Sequence, residues 1–469
     1  MEELYHALKK HLDNGRVSKE VADLSSYSFD ASFGEYMPDI ICQPMSTEEV
    51  VHIVKLSNQY DVPIYPRGSG TSLSGGPLAV HGGIVLDFSR WDNEITVYEN
   101  DLMMEVSPGV ITEKIHKIAE SYGLMYPPDP SSSRVSTIGG NLAENAGGPR
   151  CLKYGVTKDY VVGLEVVTAN GDVIHCGGRT VKNVTGYDMT KLIVGSEGTL
   201  GIITKATLQL IPKPIDTKTA MLQFDDFITS GEAVSKILRS GILPSKIEIM
   251  DKYCVDAVLS THPIENVTAD AESVLLVELD GHPLALEAEM KIIEETCAAL
   301  PGCKVIIAED EKQASELWEV RKLVSPAIVK FGPTKISEDT SVPVSQIPAF
   351  FEEIERIRQT YQLNLVVFGH AGDGNLHPNI ITDKRKPEEM KRAEEAVAEI
   401  FKASLKLGGT LSGEHGIGLF KKPFMYNEFD EAGMKFMKDV KQALDPNNRL
   451  NPGKIFPDEH ERFVLVHDE

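Results

Sequence analysis

The chain has 469 residues, 42% of them hydrophobic and 25% charged, and a formal net charge of -23. That length exceeds what one hydrophobic core supports and implies two or three domains; the composition is that of a globular protein in water. The acidic surplus argues against nucleic acid or an anionic membrane as the partner, because phosphate would be repelled, yet it leaves room for a local basic pocket around a small anion.

The N-terminus, MEELYHALKKHLDNGRV, is charged from its second residue and lacks the apolar core of a signal peptide. No apolar run approaches the ~20 residues needed to span a bilayer, so a cytoplasmic location without membrane insertion is expected. Residues 1–25 read as a short helix pair. Ile40 to Pro44 reads as a strand, and a helix opens at Thr47 with a capping box around Ser46 and Glu49, carries Val50, Val51, Ile53, Val54 and Leu56, and ends near Asn58. Val62 to Pro66 is a second strand. Further strands are expected at Gly83–Phe88, Glu94–Tyr98 and Met103–Val106, then a helix from Thr112 to Tyr122 stopped by Gly123.

The stretch from Tyr126 to Tyr154 is rich in Gly, Pro, Ser and Asn and reads as one long functional loop. Strands return at Val161–Thr168 and Val173–Cys176, joined by the turn Ala169-Asn170-Gly171-Asp172. A glycine-rich segment from Lys182 to Gly201 precedes the strand Ile202–Ile211. Pro212-Lys213-Pro214 marks a domain boundary, since two prolines within three residues end regular structure. Beyond it, strand and helix patterns alternate (Ala220–Phe224, Ser230–Ser240, Lys246–Met250, Ser273–Leu279, Ala285–Leu300), which makes the fold class α+β. Helices are expected at Lys386–Leu407 and Glu431–Leu444, followed by an irregular tail, Asp445 to Lys454. The six cysteines (Cys42, Cys151, Cys176, Cys254, Cys297, Cys303) contain no C-x-x-C pair and no iron–sulfur ligand run. Electrons from any redox reaction must therefore leave through a cofactor to something outside the chain.

Three donor-rich loops carry the first functional signal. Arg67 to Gly76 follows a strand and offers Gly68, Gly70, Gly75 and Gly76 with the hydroxyls of Ser69, Thr71, Ser72 and Ser74. Such a loop can nest an anion on successive N–H groups, although alone it reads equally as a structural turn. Its spacing is neither G-x-G-x-x-G nor a P-loop, so NAD and Walker-type ATP sites are poorly supported. Thr137 to Gly148, and Asn183 to Asp188 leading to Gly195 through Thr204, add two more such loops. Together the three suit a large ligand with a pyrophosphate, a polyol and a flat heteroaromatic ring. Glu144, Tyr187, Lys191 and Glu197, in or near these loops, read as structural or cofactor-shell groups.

The second signal lies in the C-terminal half. Gly369-His370-Ala371-Gly372-Asp373-Gly374-Asn375-Leu376-His377 follows the apolar run Leu365–Phe368 and places two imidazoles on a glycine-rich loop; Gly413-Glu414-His415-Gly416 adds a carboxylate and a third imidazole on another. His370, His377 and Glu414 form a 2-His-1-carboxylate set, suited to Zn²⁺, Mn²⁺ or Fe²⁺ with positions left open. His415 is a base suited to neutral pH. The plain alternative is that both histidines are loop residues bonded to backbone. Arg321 has the bidentate geometry to clamp a carboxylate, while an arginine on a helix also reads as a solvated surface charge. Asn379 could bond the substrate or position a metal ligand, and reads equally as a turn residue.

Pro66–Gly76, Pro127-Pro128-Asp129-Pro130, Thr137–Gly148 and Gly195–Thr204 resemble the FAD-binding motifs of the vanillyl-alcohol-oxidase flavoprotein superfamily. Gly369–His377, Gly413–Gly418 and Asn451-Pro452-Gly453-Lys454 resemble the branch that holds the flavin-binding chain of bacterial glycolate oxidase together with D-lactate and D-2-hydroxyglutarate dehydrogenases. The resemblance covers roughly residues 36–457. It implies a helical segment (1–35), a two-part FAD-binding domain of the vanillyl-alcohol-oxidase or PCMH type (36–214), an α+β substrate cap with the metal site (215–420), and a helix and tail packing back on the FAD domain (421–469). It implies that Pro66, Arg67, Gly68, Ser69, Gly70, Thr71, Ser72, Gly75 and Gly76 wrap the pyrophosphate. Pro128, Thr137, Gly140, Asn141, Ala143, Gly147 and Gly148 would line the ribityl and flavin region, with Gly198, Ile202 and Asn451 completing the FAD site. Gly70-Thr71-Ser72 stands where relatives with covalent FAD carry a His, so non-covalent FAD is expected.

The implied reaction is oxidation of a small D-2-hydroxy acid, glycolate or D-lactate, to the 2-keto acid. The metal, zinc or manganese, polarises the hydroxyl; His415 takes its proton; Arg321 holds the carboxylate; hydride passes to flavin N5. Ser325 and Lys335 are candidates for a second carboxylate, as in D-2-hydroxyglutarate enzymes, but the segment around Lys335 fits that pattern poorly. An iron–sulfur subunit is the expected electron acceptor and a homodimer an expected assembly; a non-catalytic FAD-binding subunit is the rival class.

Overall fold

The computed structural model describes residues 1–12, 15–262, 264, 267–268, 270–458 and 463. The chain divides into two compact units. The first comprises 1–147, 156–213 and 414–469; the second comprises 148–155 and 214–413. No helix among the described residues is long and apolar enough to cross a membrane.

In the first unit, Ser46 Oγ accepts from Glu49 N at 3.3 Å and starts the helix Thr47–Tyr60. Among the described residues the reciprocal bond of the expected capping box is absent: the Glu49 carboxylate takes Met45 N and the Arg16 guanidinium instead, each at 2.7 Å. Val50, Ile53, Val54 and Leu56 are buried at helical spacing. They cover a sheet in which Ile40–Cys42, Ile84–Asp87 and Ile64–Arg67 run parallel, with Val17–Ser18 antiparallel at its edge. The tail joins this sheet: Ile64 N donates to Arg449 O and Asn451 N to Ile64 O, both at 2.8 Å. A second, antiparallel sheet has the order Ile95–Tyr98, Met103–Val106, Ile202–Gln209, Val161–Val167, Val173–Gly177.

Two stretches expected to be irregular contain helices. Within Tyr126–Tyr154 the chain forms Ile138–Glu144 and Cys151–Tyr154, and within Lys182–Gly201 it forms Met189–Ile193. Side-chain caps offset the glycine content: Thr137 Oγ1 accepts from Gly140 N at 3.2 Å and Asp188 from Lys191 N at 3.0 Å.

The second unit is built on an antiparallel sheet with the order Cys303–Ile307, Asp216–Phe224, Ser273–Gly281, Lys246–Asp251, Asn364–His370, Asn375–Thr382, Thr334–Ser337, with Thr340–Ser341 also paired to Asn375–Thr382. Helices cover it. Met250, Val274, Leu276, Val366 and Phe368 cluster with the buried faces of Lys252–Leu259 and Glu311–Ile328. The even residues of adjacent strands thus form one apolar face, and the functional residues continue it. No disulfide joins any of the cysteines among the described residues.

Candidate active site

The first unit carries a narrow cleft. Its lining includes Pro66, Arg67, Gly68, Thr137, Gly140, Ala143, Gly198 and Ile202, drawn from all three glycine-rich segments, with Phe88, Pro108 and Ser196 beside them. Gly68 is required by close approach: a Cβ there would stand 2.1 Å from Thr137 Oγ1, the atom that caps Ile138–Glu144. Arg67 donates through Nη2 to Phe29 O at 2.8 Å, while its Nη1 is buried with no partner among the described residues. A buried guanidinium N–H without an acceptor fits an anionic ligand. A narrow cleft walled by backbone, with that donor at its edge, fits FAD.

The other residues assigned to the cofactor lie close by in sequence and serve varied local contacts. Ser69 is exposed; Gly70, Thr71 and Ser72 are half-buried, and Gly75 and Gly76 are buried. Pro128 O meets the His116 ring nitrogen at 2.8 Å. Asn141 donates its amide to Thr112 Oγ1 at 2.5 Å. Gly147 ends the first unit's opening segment, and Gly148 begins the short segment assigned to the second. Asn451, buried and at φ 44°, donates to Gly76 O at 3.0 Å and Glu197 O at 2.7 Å.

Glu197, itself in the left-handed region at φ 52°, accepts from Ile417 N and Gly418 N at 2.8 and 2.7 Å. Ser74 Oγ donates to His415 O at 3.0 Å. Gly416 has φ 79°, and a Cβ on it would stand 2.2 Å from Glu144 Oε2. The backbone that presents His415 is therefore held by two glycine-loop residues, Ser74 at His415 itself and Glu197 at Ile417 and Gly418. Burial pushes Glu144 well above the usual carboxylate range, and the charge of Glu197 adds to the shift.

In the second unit, His370 and His377 stand on strands and not on a loop. Asn364–His370 and Asn375–Thr382 form a tight hairpin, with Phe368 opposite His377 and His370 opposite Asn375. Alternation puts His370, two residues after Phe368, on the same face as His377. The ring centroids are 5.2 Å apart at 89°, and the residues are 3% and 5% exposed.

Glu248, opposite His370 on Lys246–Asp251, was not anticipated. One carboxylate oxygen is hydrogen-bonded to His370 Nδ1. The other accepts from Arg321 Nε at 2.8 Å, and the Arg321 guanidinium lies 4.6 Å from the Phe368 ring centroid. Arg321 is thus no solvated surface charge. Burial works against the Glu248 carboxylate, but its neighbours His370 and Arg321 prevail and hold its pKa below the ordinary value. With Nδ1 engaged, Nε2 is the ring nitrogen at which a metal could be held.

Asp339, also unanticipated, is fully buried. It accepts from Asn375 Nδ2 at 2.5 Å, Ser412 Oγ at 2.7 Å and Gly413 N at 2.9 Å, and its Oδ1 lies 3.8 Å from His377 Nδ1. Glu414 follows one residue after the anchored Gly413. The available signal for Glu248 was a carboxylate between apolar strand residues, Ile247-Glu248-Ile249; Asp339, between Glu338 and Thr340, carried no such signal.

Lys335 Nζ donates to Ser325 Oγ at 3.3 Å, so the structure joins two residues that the sequence pattern left apart. Burial lowers the Lys335 pKa. Asn379 lies inside a strand, which removes the turn reading; it donates to His377 O at 2.7 Å, and its Oδ1 is buried without a partner among the described residues.

Residues 38–177 match the FAD binding domain family and residues 213–455 the family of FAD linked oxidases, C-terminal domain. The chain is 44% identical to the glycolate oxidase subunit GlcD of Bacillus subtilis (strain 168), over 94% of each chain. It is 31% identical to the D-lactate dehydrogenase of Anaerostipes hadrus, again over 94% of each. Among solved structures, p-cresol methylhydroxylase with substrate bound superposes with a TM-score of 0.81 at 20% identity, over 98% of each chain, a likeness of fold. The chain belongs to the FAD-linked oxidases.

Proposed function

We propose that this protein oxidises a small D-2-hydroxy acid, glycolate or D-lactate, to the 2-keto acid, with a divalent cation at His370, His377 and Glu414. The observation that carries the reading is the hairpin face on which two buried imidazoles stand together, one of them joined through Glu248 to Arg321. Two neutral imidazoles and a carboxylate suit zinc or manganese and leave positions open. Arg67, Gly68, Thr137, Gly140, Ala143, Gly198 and Ile202 would hold FAD without a covalent bond. FAD supplies the two-electron acceptor when bound.

The chain's own residues then divide the work. Arg321 binds the substrate carboxylate. His415 accepts the proton of the substrate hydroxyl at a ring nitrogen; the backbone around it is held by Ser74 and Glu197. Asn379 Oδ1 is an acceptor within the same face. An iron–sulfur subunit in a cytoplasmic complex is the proposed destination of the electrons; the name of the B. subtilis relative, a subunit, supports a multi-chain assembly.

The second reading, D-2-hydroxyglutarate oxidation, is favoured by the Lys335–Ser325 pair, which lies one helical turn beyond Arg321 and offers a cation and a hydroxyl to a distal carboxylate. One titration separates the readings. Natively purified protein receives glycolate, D-lactate and D-2-hydroxyglutarate anaerobically, with and without a chelator, while the flavin absorbance is followed. Bleaching by a monocarboxylate that chelation prevents supports the first reading; bleaching by D-2-hydroxyglutarate alone supports the second. A flavin band that none of the three bleaches refutes both.

A further inference from the structure

We propose that Glu248 is a positioning residue that couples the metal ligand His370 to the substrate clamp Arg321; this rests on the metal reading above. The Glu248 side chain is 1% exposed and faces two donors, one per oxygen: His370 Nδ1 and Arg321 Nε, the latter at 2.8 Å. Strand register fixes the first contact, since Glu248 and His370 are directly opposed across antiparallel strands. Helix packing fixes the second, since Arg321 flanks the buried stripe Leu317, Val320, Val324. Where the neighbouring positions of this face are apolar (Met250, Phe368), the sheet here substitutes an acid and an imidazole.

A carboxylate on Nδ1 fixes the imidazole tautomer, turns Nε2 toward a metal and raises its donor strength. The same carboxylate holds the Arg321 Nε, leaving the two terminal nitrogens for a carboxylate ligand. One anion therefore serves both sites, and a change at one is felt at the other. Gln fills the same volume but cannot serve both donors: its carbonyl accepts from one, and its NH₂ faces the other.

The test uses flavin-loaded protein stripped of metal and titrated with Zn²⁺ against a competing chromophoric chelator. Glu248→Gln is expected to weaken Zn²⁺ binding about 10–100-fold with FAD content and circular dichroism unchanged, and to raise KM for the hydroxy acid. A Zn²⁺ Kd within two-fold of the parent overturns the proposal. Arg321→Ala gives a second arm should Glu248→Gln fail to fold. Arg321 is not a ligand, yet its removal frees Glu248 for His370 and is expected to tighten Zn²⁺ binding several-fold. An unchanged Kd in that variant overturns the coupling. Parent protein that binds neither Zn²⁺ nor Mn²⁺ removes the metal reading and this inference together, whereas parent binding with unaltered variants removes this inference alone.

Discussion

The cleft of the first unit is shaped by what its residues lack. Gly68, Gly140 and Gly198 line it without side chains, and Thr137 and Arg67 supply the polar atoms. The hairpin of the second unit is the opposite case: His370, His377, Glu248 and Arg321 place long side chains from paired strands and a packed helix. A large flat ligand needs backbone within reach along its length, so absence of Cβ is the useful property. A metal and a small acid need a few groups held to fractions of an ångström, so rigid strands and buried partners are the useful ones.

The contrast can be broken from either side. The largest effect is expected from His377→Ala, which removes a ligand and should lower turnover with a dye acceptor on the order of 10³-fold, the scale of several kcal/mol of lost Lewis-acid stabilisation. Metal analysis should show the loss while the flavin absorbance stays. Gly68→Val is the mirror experiment: with Thr137 Oγ1 2.1 Å from the added Cβ, overpacking of about 1–3 kcal/mol should weaken FAD binding about ten-fold or more, with Zn²⁺ binding retained. If both ligands are lost together in either variant, the two regions are not separately built. Arg321→Lys keeps the charge and loses the fork; KM should rise about 10-fold, in line with a charge-assisted hydrogen bond of about 1.5–3 kcal/mol, with a smaller change in kcat.

The smallest effect concerns a charge buried in the first unit. Lys454 donates to Leu78 O at 2.5 Å, and burial lowers its pKa from 10.5 to about 7. Below pH 7 both folded and unfolded chains carry the proton and the full penalty of burial applies. Between pH 7 and about 10 only the unfolded chain binds it, so stability from this group rises with pH by on the order of 1 kcal/mol per unit. The stability gained by Lys454→Met should therefore shrink as pH increases across that window, as read from paired denaturant curves. A difference that does not change with pH sinks the assignment.

Some of this was legible in the residues alone. The helix Glu431–Leu444 and the strand Met103–Val106 stand where their patterns placed them, because local periodicity and caps act over a few residues. Helix Ile138–Glu144 escaped notice because its glycines outweigh its propensity, and the Thr137 cap that starts it is a weak signal in a Gly-rich run. The histidines were recognisable as a pair, but the glycines around them suggested a loop. The hairpin follows from pairing with Lys246–Asp251 and Thr334–Ser337, more than a hundred residues before His370 in one case.

The sequence by itself determined which chemistry the chain can hold: three donor-rich glycine loops, two imidazoles with a Glu-His step, and an arginine on a helix, all written in residue types and short spacings. Only the tertiary structure decided which acids stand behind them. Glu248 and Asp339 are 122 and 38 residues from the histidines they approach, and no local pattern links them. Register across antiparallel strands and the packing of one helix on the sheet bring those groups together, and both depend on burying an apolar face that is assembled from segments distant in the chain.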